Sequence, residues 1–360
     1  MKTKNIFYLS VMALTLTFTS CKKDDPKSDP TIPPTGSGYD NGVFIINQGA
    51  YTGGTGTISY YNRSTGSISN DIFYAKNNFP LGNIAQSMEL YNGKGYIVVN
   101  NAGKIEVVDG SSFASSGTIT GLTYPRFFLG IDNSKAYVTE WGASGVAGAV
   151  KVINLSNNTV SSTITTGKGA ETMVKSGNFV YVTCSGGFDT DSVVTVINSN
   201  TDAVVATINV GANPKYIKAD NNGKIWVLCY GQWDAAFSYL IKTGSLVRID
   251  VATNMVDLTL PFSSIYSQPA NLVINSAKST LYYCYDSQVY SQSTTSASLD
   301  ATMLINRNFY GLGIDPTNNY FFGADAGDYT SDGWVLRYTP TGTLVDSVKV
   351  GIIPGDFFFK

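Results

Sequence analysis

The sequence predicts an all-β fold: a seven-bladed β-propeller of four-stranded blades, closed by the C-terminal strand completing the first blade. Three observations carry that reading. They are a four-strand pattern, its recurrence along the chain, and a C-terminal segment that supplies what the first unit lacks. The pattern is clearest from Ala170 to Gly211. An apolar start at Thr172 to Lys175 meets a turn at Ser176-Gly177-Asn178, and Phe179 to Val182 follows. A polar loop from Cys184 to Asp191 then leads to the alternating Ser192 to Ile197, a tight turn at Asn198 to Asp202, and Ala203 to Val210. Val, Ile, Thr and Tyr suit a pleated surface, whereas Gly, Asn and Asp accept the turns between.

Copies recur at roughly 40–48 residues, close to the period of four-stranded propeller blades. The first unit opens abruptly at Val43-Phe44-Ile45-Ile46-Asn47, which is the second strand of the pattern. Gln86 to Leu122 is a short copy with YIVVN and KIEVVD, and Pro125 to Gly167 repeats the unit with RFFLGIDNSKAYVTEW and AVKVINLSNNTVSSTITTG. Asn213 to Phe262 surrounds a long loop, Gln268 to Asn308 diverges most, and Phe309 to Gly351 returns to type. The strand missing from the first unit appears at Ile353 to Phe359, whose Pro354-Gly355-Asp356-Phe357 matches the blade openings Pro125-Arg126-Phe127-Phe128 and Pro214-Lys215-Tyr216-Ile217. Closure of this kind removes exposed sheet edges.

Three segments precede or make up this body. Residues 1–20 place Lys2 and Lys4 ahead of an apolar run, Ile6 to Phe18, the pattern of a signal peptide too short to span a bilayer. Residues 21–38, rich in Pro, Ser, Thr, Gly and charge, form a flexible tether that cannot bury apolar area. Residues 39–360 are expected to be a single propeller domain. The end of the signal resembles a bacterial lipobox, which makes Cys21 the acylated residue. Cys21-Lys22-Lys23-Asp24-Asp25 resembles the export tag of surface lipoproteins of Bacteroidetes. The expected location is therefore the outer membrane, lipid-anchored and exposed at the cell surface.

Of 360 residues, 36 are Gly, 23 Tyr and 18 Phe, and only 14% are charged, a balance that fits an exported all-β domain. The formal charge of −2, more negative once Lys2 and Lys4 leave with the signal, argues against nucleic acid as a partner, because phosphate binding needs a basic surface. Cys184, Cys229 and Cys284 occupy equivalent places in successive units, too far apart to bond, and read as small buried thiols.

The chain contains no histidine. Ser-His-Asp and Cys-His catalysis and His-ligated metals are thereby removed. The carboxylate clusters Asp189/Asp191 and Asp325/Asp328/Asp332 lie in Gly-rich loops, where Asp commonly makes turns. Contact with a ligand or calcium, and catalysis, rank behind that reading. The expectation is a protein that is not an enzyme, with no cofactor and no metal site.

Propeller geometry puts the second-to-third-strand loops and the blade-entry loops on one face, around the channel mouth. The former carry Tyr51, Glu140, Trp141, Phe188, Tyr230, Trp233, Tyr285 with Tyr290, Asp325 and Tyr329. The latter carry Phe79, Tyr124, Arg126, Lys168 with Glu171, Asn213, Lys215, Gln268, Phe309 and Tyr310. Aromatic rings supply contact area and polar groups fix orientation, which suits a planar or amphipathic small molecule. Tyr181 and Trp226, inside strands, read as packing, whereas Trp141, Trp233 and Tyr329 are expected to be exposed. The loop Tyr230 to Gly244 is long and apolar enough to cover the mouth or contact a partner. Tyr285 to Leu299, Ser/Thr-rich, reads as a mobile loop.

The opening VFIINQGAYTGGTGTISYYNRSTGSISNDIF, the segment YVTEWGASG and the close GLGIDPTNNYFFGADAGDYTSDGWVLRYTPTGTLVDSVKVGIIP resemble the YncE-like seven-bladed propeller lipoproteins of Bacteroidetes, over Gly42 to about Pro354. Some members of that family capture cobalamin and pass it to a TonB-dependent outer-membrane transporter. The resemblance implies that the aromatic and polar loops hold a corrinoid and that Tyr230 to Gly244 touches the transporter, the protein acting as a monomer or in that complex. Without imidazole, capture would rest on shape and hydrogen bonds. The competing readings are glycan binding, with Trp141, Trp233 and Tyr329 stacking on sugars, a metal-dependent propeller enzyme, and a protein-interaction scaffold.

Overall fold

A computed structural model of the chain describes residues 38–300 and 302–360. The expected signal peptide, Cys21 and nearly all of the expected tether lie outside the described residues. Seven four-stranded antiparallel sheets follow one another around a ring. Each blade begins with an inner strand. In chain order these are Ala85–Tyr91, Pro125–Asp132, Ala170–Ser176, Pro214–Ala219, Ala270–Ile274 and Gly311–Ile314 for blades 2 to 7. The inner strand of blade 1 comes from the far end of the chain. Pro354–Phe359 pairs antiparallel with Gly42–Asn47, placing Val43 opposite Phe359 and Ile45 opposite Phe357. Arg63 locks the seam by pairing with Asp315 of blade 7 at 2.6 Å and donating to the Lys360 carbonyl.

Second strands are the most apolar and the most deeply buried, as in Phe179–Cys184 and Lys224–Cys229, because sheet packs on both their faces. Fourth strands form the exposed outer edges, as in Ala203–Asn209, where Ile208 alone is buried. The core is accordingly divided among the spaces between blades. Tyr137, Val150 and Val152 of blade 3 meet Val180, Val182 and Ile197 of blade 4. Val43, Ile45 and Tyr61 of blade 1 meet Phe322 and Val335 of blade 7. Tyr181 and Trp226 are fully buried, the latter donating its indole N–H to Asp220 at 3.0 Å. Cys184, Cys229 and Cys284 are buried free thiols, and burial pushes them up to about 11, about 12 and about 11.

Three local features depart from the sequence expectations. The fourth strand of blade 1 shrinks to Ile68–Ser69, and a one-turn helix, Ile72–Asn77, takes over its packing. Asp71 caps that helix through the Tyr74 N–H, and Ile72 and Phe73 enter the core. In blade 5 the long loop folds on itself as a hairpin of Gln232–Trp233 and Leu240–Lys242. The third is a correction. Tyr285 to Leu299 is not one mobile loop, because Gln288–Ser293 is the third strand of blade 6 and carries Tyr290 within it. Asp286 and Ser287, both left-handed, turn the chain directly into that strand, and its Ser and Gln side chains mask it, since Val289 and Gln292 are its buried residues and lie three apart rather than two.

Candidate functional site

The second residue of six inner strands is special. Gln86, Arg126, Glu171, Lys215, Asn271 and Gly355 occupy that place, and in each strand the register with its neighbour slips there. Such β-bulges release a residue from cross-strand pairing and re-aim its side chain. Here the bulged residues together line the upper wall of a cavity of about 430 Å³ in the central channel. At blade 1, where the bulged residue is Gly355, Gln48 occupies the space that a side chain there would need.

Glu171 is the hub of this ring. Its carboxylate accepts from Arg126 Nε at 3.0 Å and Nη2 at 2.7 Å and from the Trp141 indole at 2.8 Å, and it faces Lys215 Nζ at 3.4 Å. Burial pulls this carboxyl upward, but Arg126 and Lys215 together hold it below the usual carboxylate range. Arg126 also donates to Gln86 Oε1 at 2.5 Å, and its guanidinium lies 4.3 Å from the Trp141 ring centre. Lys215 faces the rings of Trp141 and Tyr230 at 5.6 and 5.9 Å. Burial, and then Arg126, hold its ammonium below the usual lysine value. Tyr230 donates to the Tyr216 hydroxyl, which donates to Asn271 Oδ1 at 3.1 Å. Burial raises both phenols, so they remain neutral donors.

Farther along the same cavity lie Glu89, Lys218 and Asp356. Burial pushes Glu89 to about 7, with Asp356 adding to the rise, and burial likewise pushes Asp356 to about 7. Lys218 is lowered by burial. A second cleft, of about 490 Å³, opens between blades 6 and 7 and shares Tyr230, Asn271 and Tyr310 with the channel. Tyr266 and Tyr329 stand over it, 73% and 53% exposed, with Gln268, Tyr285 and Asp325 among its walls.

Of the residues predicted from sequence, Arg126, Lys215, Tyr230 and Tyr310 line the channel cavity, and Tyr285, Asp325 and Tyr329 join Tyr230 and Tyr310 at the cleft. Tyr310 donates to Gln48 at 2.9 Å, and its ring meets that of Tyr329 edge-on. Trp141, expected to be exposed, is half-covered beneath Arg126, and Tyr124 and Phe188 pack edge-on beside it in one aromatic cluster. The others are placed elsewhere. Glu140 is spent on the Thr123 N–H and Lys151, and Lys168 pairs with Asp189. Phe79 rests on Phe73, Tyr51 projects into solvent, and Trp233 belongs to the blade 5 hairpin. Sequence reasoning passed over Gln86, Glu89, Lys218, Asn271 and Asp356. For Gln86 and Asn271 the signal was an amide directly after the Ala that opens the blade, and for Glu89, Lys218 and Asp356 a charged residue farther inside an inner strand.

Comparison with solved structures places the fold among known propellers. A quinoprotein alcohol dehydrogenase-like protein from Bacteroides thetaiotaomicron is 13% identical, with 89% of this chain and 79% of that one covered at a TM-score of 0.67. A functionally unknown protein from Desulfotomaculum acetoxidans is also 13% identical, covering 89% and 99% at a TM-score of 0.63. Hydrazine synthase from Kuenenia stuttgartiensis is 16% identical, covering 73% and 85% at a TM-score of 0.55. At such identities the likeness concerns the fold alone. No curated protein matches the sequence. A family model does match, over residues 41–350, which is nearly the whole ring, and the chain therefore belongs to the family described as a domain of unknown function, DUF5074.

Proposed function

We propose that the protein is a non-enzymatic capture lipoprotein of the cell surface, anchored through Cys21, which holds a corrinoid at the channel mouth and hands it to a TonB-dependent outer-membrane transporter. The observation that carries this reading is the make-up of the mouth: phenol rings and neutral amides, from Gln48, Gln86, Tyr230, Asn271 and Tyr310, surround one cavity. A flat macrocycle fringed with amides needs that combination, with rings against its face and donors and acceptors around its edge. The blade 5 hairpin supports the delivery step, because Phe237 and Ile241, 78% and 53% exposed, offer apolar area that no other blade covers. Calorimetric titration of the chain from Gly38 onward with cyanocobalamin tests the reading. Saturable binding at micromolar concentration or below, weakened about tenfold or more by Tyr310→Ala, is expected. Absence of heat would remove the corrinoid.

One observation favours a second reading, glycan binding. The cleft between blades 6 and 7 combines the exposed rings of Tyr266 and Tyr329 with Gln268 and Asp325, a pairing of stacking surface and polar edge that suits a sugar. A glycan array separates the two, with Tyr329→Ala abolishing any signal that arises in this cleft.

A further inference from the structure

Three charged side chains meet at the mouth, and their charges do not cancel. Arg126 and Lys215 are cationic, and Glu171 is the carboxylate between them. That carboxylate is saturated, since a carboxylate offers about four acceptor positions and here four donors approach it. Arg126 has used three of its N–H groups on Glu171 and Gln86. Lys215 is held only by its long 3.4 Å contact, with a quarter of its side chain open to the cavity and two ring faces around it. One unit of positive charge is thus kept in a narrow, half-dry site with donors to spare. Such a charge is costly until something negative meets it. Farther along the cavity the one cation, Lys218, already faces two carboxyls, Glu89 and Asp356, so the cation with donors to spare is the one at the mouth.

We infer that the mouth contains an anion subsite, in which Lys215 and the free N–H groups of Arg126 take a singly charged oxyanion of the ligand, a phosphate diester or a carboxylate, beside Tyr230. The inference takes its location from the capture reading and adds a requirement to it: the captured molecule carries one anionic group, and it enters with that group on the side of blades 3 to 5.

The test uses the chain from Gly38 onward, dimethyl phosphate and acetate as singly charged probes, and the Trp141 indole N–H resonance as reporter, since that group bonds to Glu171 directly. The resonance is assigned with Trp141→Phe. Saturable shifts at millimolar concentration are expected with one probe or both, weakening as chloride is added, and the tighter probe identifies the ligand's anion. A charge series supplies the decisive readout. Lys215→Met makes the cluster neutral and should weaken binding about tenfold or more, whereas Glu171→Gln, which removes the internal counter-ion, should tighten it. A merely structural disturbance would move both variants the same way. The wild-type titration stands even where a variant fails to fold. No saturable shift at tens of millimolar with either probe, or equal affinity in a folded Lys215→Met variant, overturns the subsite. Cyanocobalamin titrated into the same sample keeps the two ideas apart. Corrinoid binding without a probe response removes the subsite and leaves capture, and a probe response without corrinoid binding does the reverse.

Discussion

Asp356 and Glu89 show what a channel does to a carboxyl group. Both are raised to about 7, burial being the main cause, while Lys218 opposite them is lowered. Each carboxyl holds its proton more tightly in the folded chain than in the unfolded one, where its value is near 4. The folded state therefore binds more protons between about pH 4 and about 7, and stability is lost as pH rises through that window. Asp356→Asn should flatten the decline, leaving Glu89 to face Lys218 alone. Urea denaturation of both proteins at pH 5 and pH 8 checks it, and an unchanged difference between the two pH values would show that Asp356 is not the group responsible. The three thiols make a second case. With pKa values raised to about 11 or 12 and side chains fully enclosed, they should resist an aromatic disulfide reagent in the native ring of residues 38–360 and react only on unfolding. At this scale the sequence was partly legible. Arg126, Lys215 and Tyr230 stood out because cations and rings beside a blade opening are conspicuous, whereas Glu171, the hub, looked like one more charged residue in an entry loop. What makes it a hub is the bulge that turns it inward, and bulges leave no residue-type signature except a glycine when one is required.

Among elements, regular strands were read well and their replacements were not. The four strands of blade 4 fall at Ala170–Ser176, Phe179–Cys184, Val193–Asn198 and Ala203–Asn209, within two residues of the periods in the sequence. The helix Ile72–Asn77 escaped because one turn is too short to display a period. Its packing is nonetheless deep, with Phe73 fully buried among Phe44, Phe113 and Tyr60. Phe73→Ala should cost about 3–5 kcal/mol, measured by urea unfolding. In blade 4 the entry loop touches the loop between the second and third strands backbone to backbone. Gly169 has φ +58°, and a methyl group there would run into the Gly187 backbone. Gly169→Ala is expected to lose more than about 1 kcal/mol and to disturb the Trp141 and Phe188 cluster beside it, visible as a change in tryptophan fluorescence.

For the whole molecule, the repeat and the strand that completes blade 1 were legible from end to end, because each depends on pattern over many residues and survives local exceptions. The channel's contents were not, since they come from one position per blade, spread over most of the chain and brought to one level only by the ring. Deleting Pro354 to Lys360 removes the inner strand of blade 1 and the carbonyl held by Arg63, and exposes the edge of Gly42–Asn47. A fall in melting temperature large enough to leave the chain aggregated at 37 °C is the expected result, and an unchanged melting curve would mean that the seam carries little of the stability.

That seam also has a meaning in time. During synthesis Gly42–Asn47 is among the first strands to appear, and its partner on the channel side, Pro354–Phe359, is among the last. For the whole interval blade 1 waits with one edge unsatisfied, and no earlier segment has the same fit of Phe357 and Phe359 against Phe322. A chain stopped short of residue 359 never becomes a ring. The channel cavity, whose wall includes Gly355 to Phe358, is therefore complete only once that strand has been made and has docked.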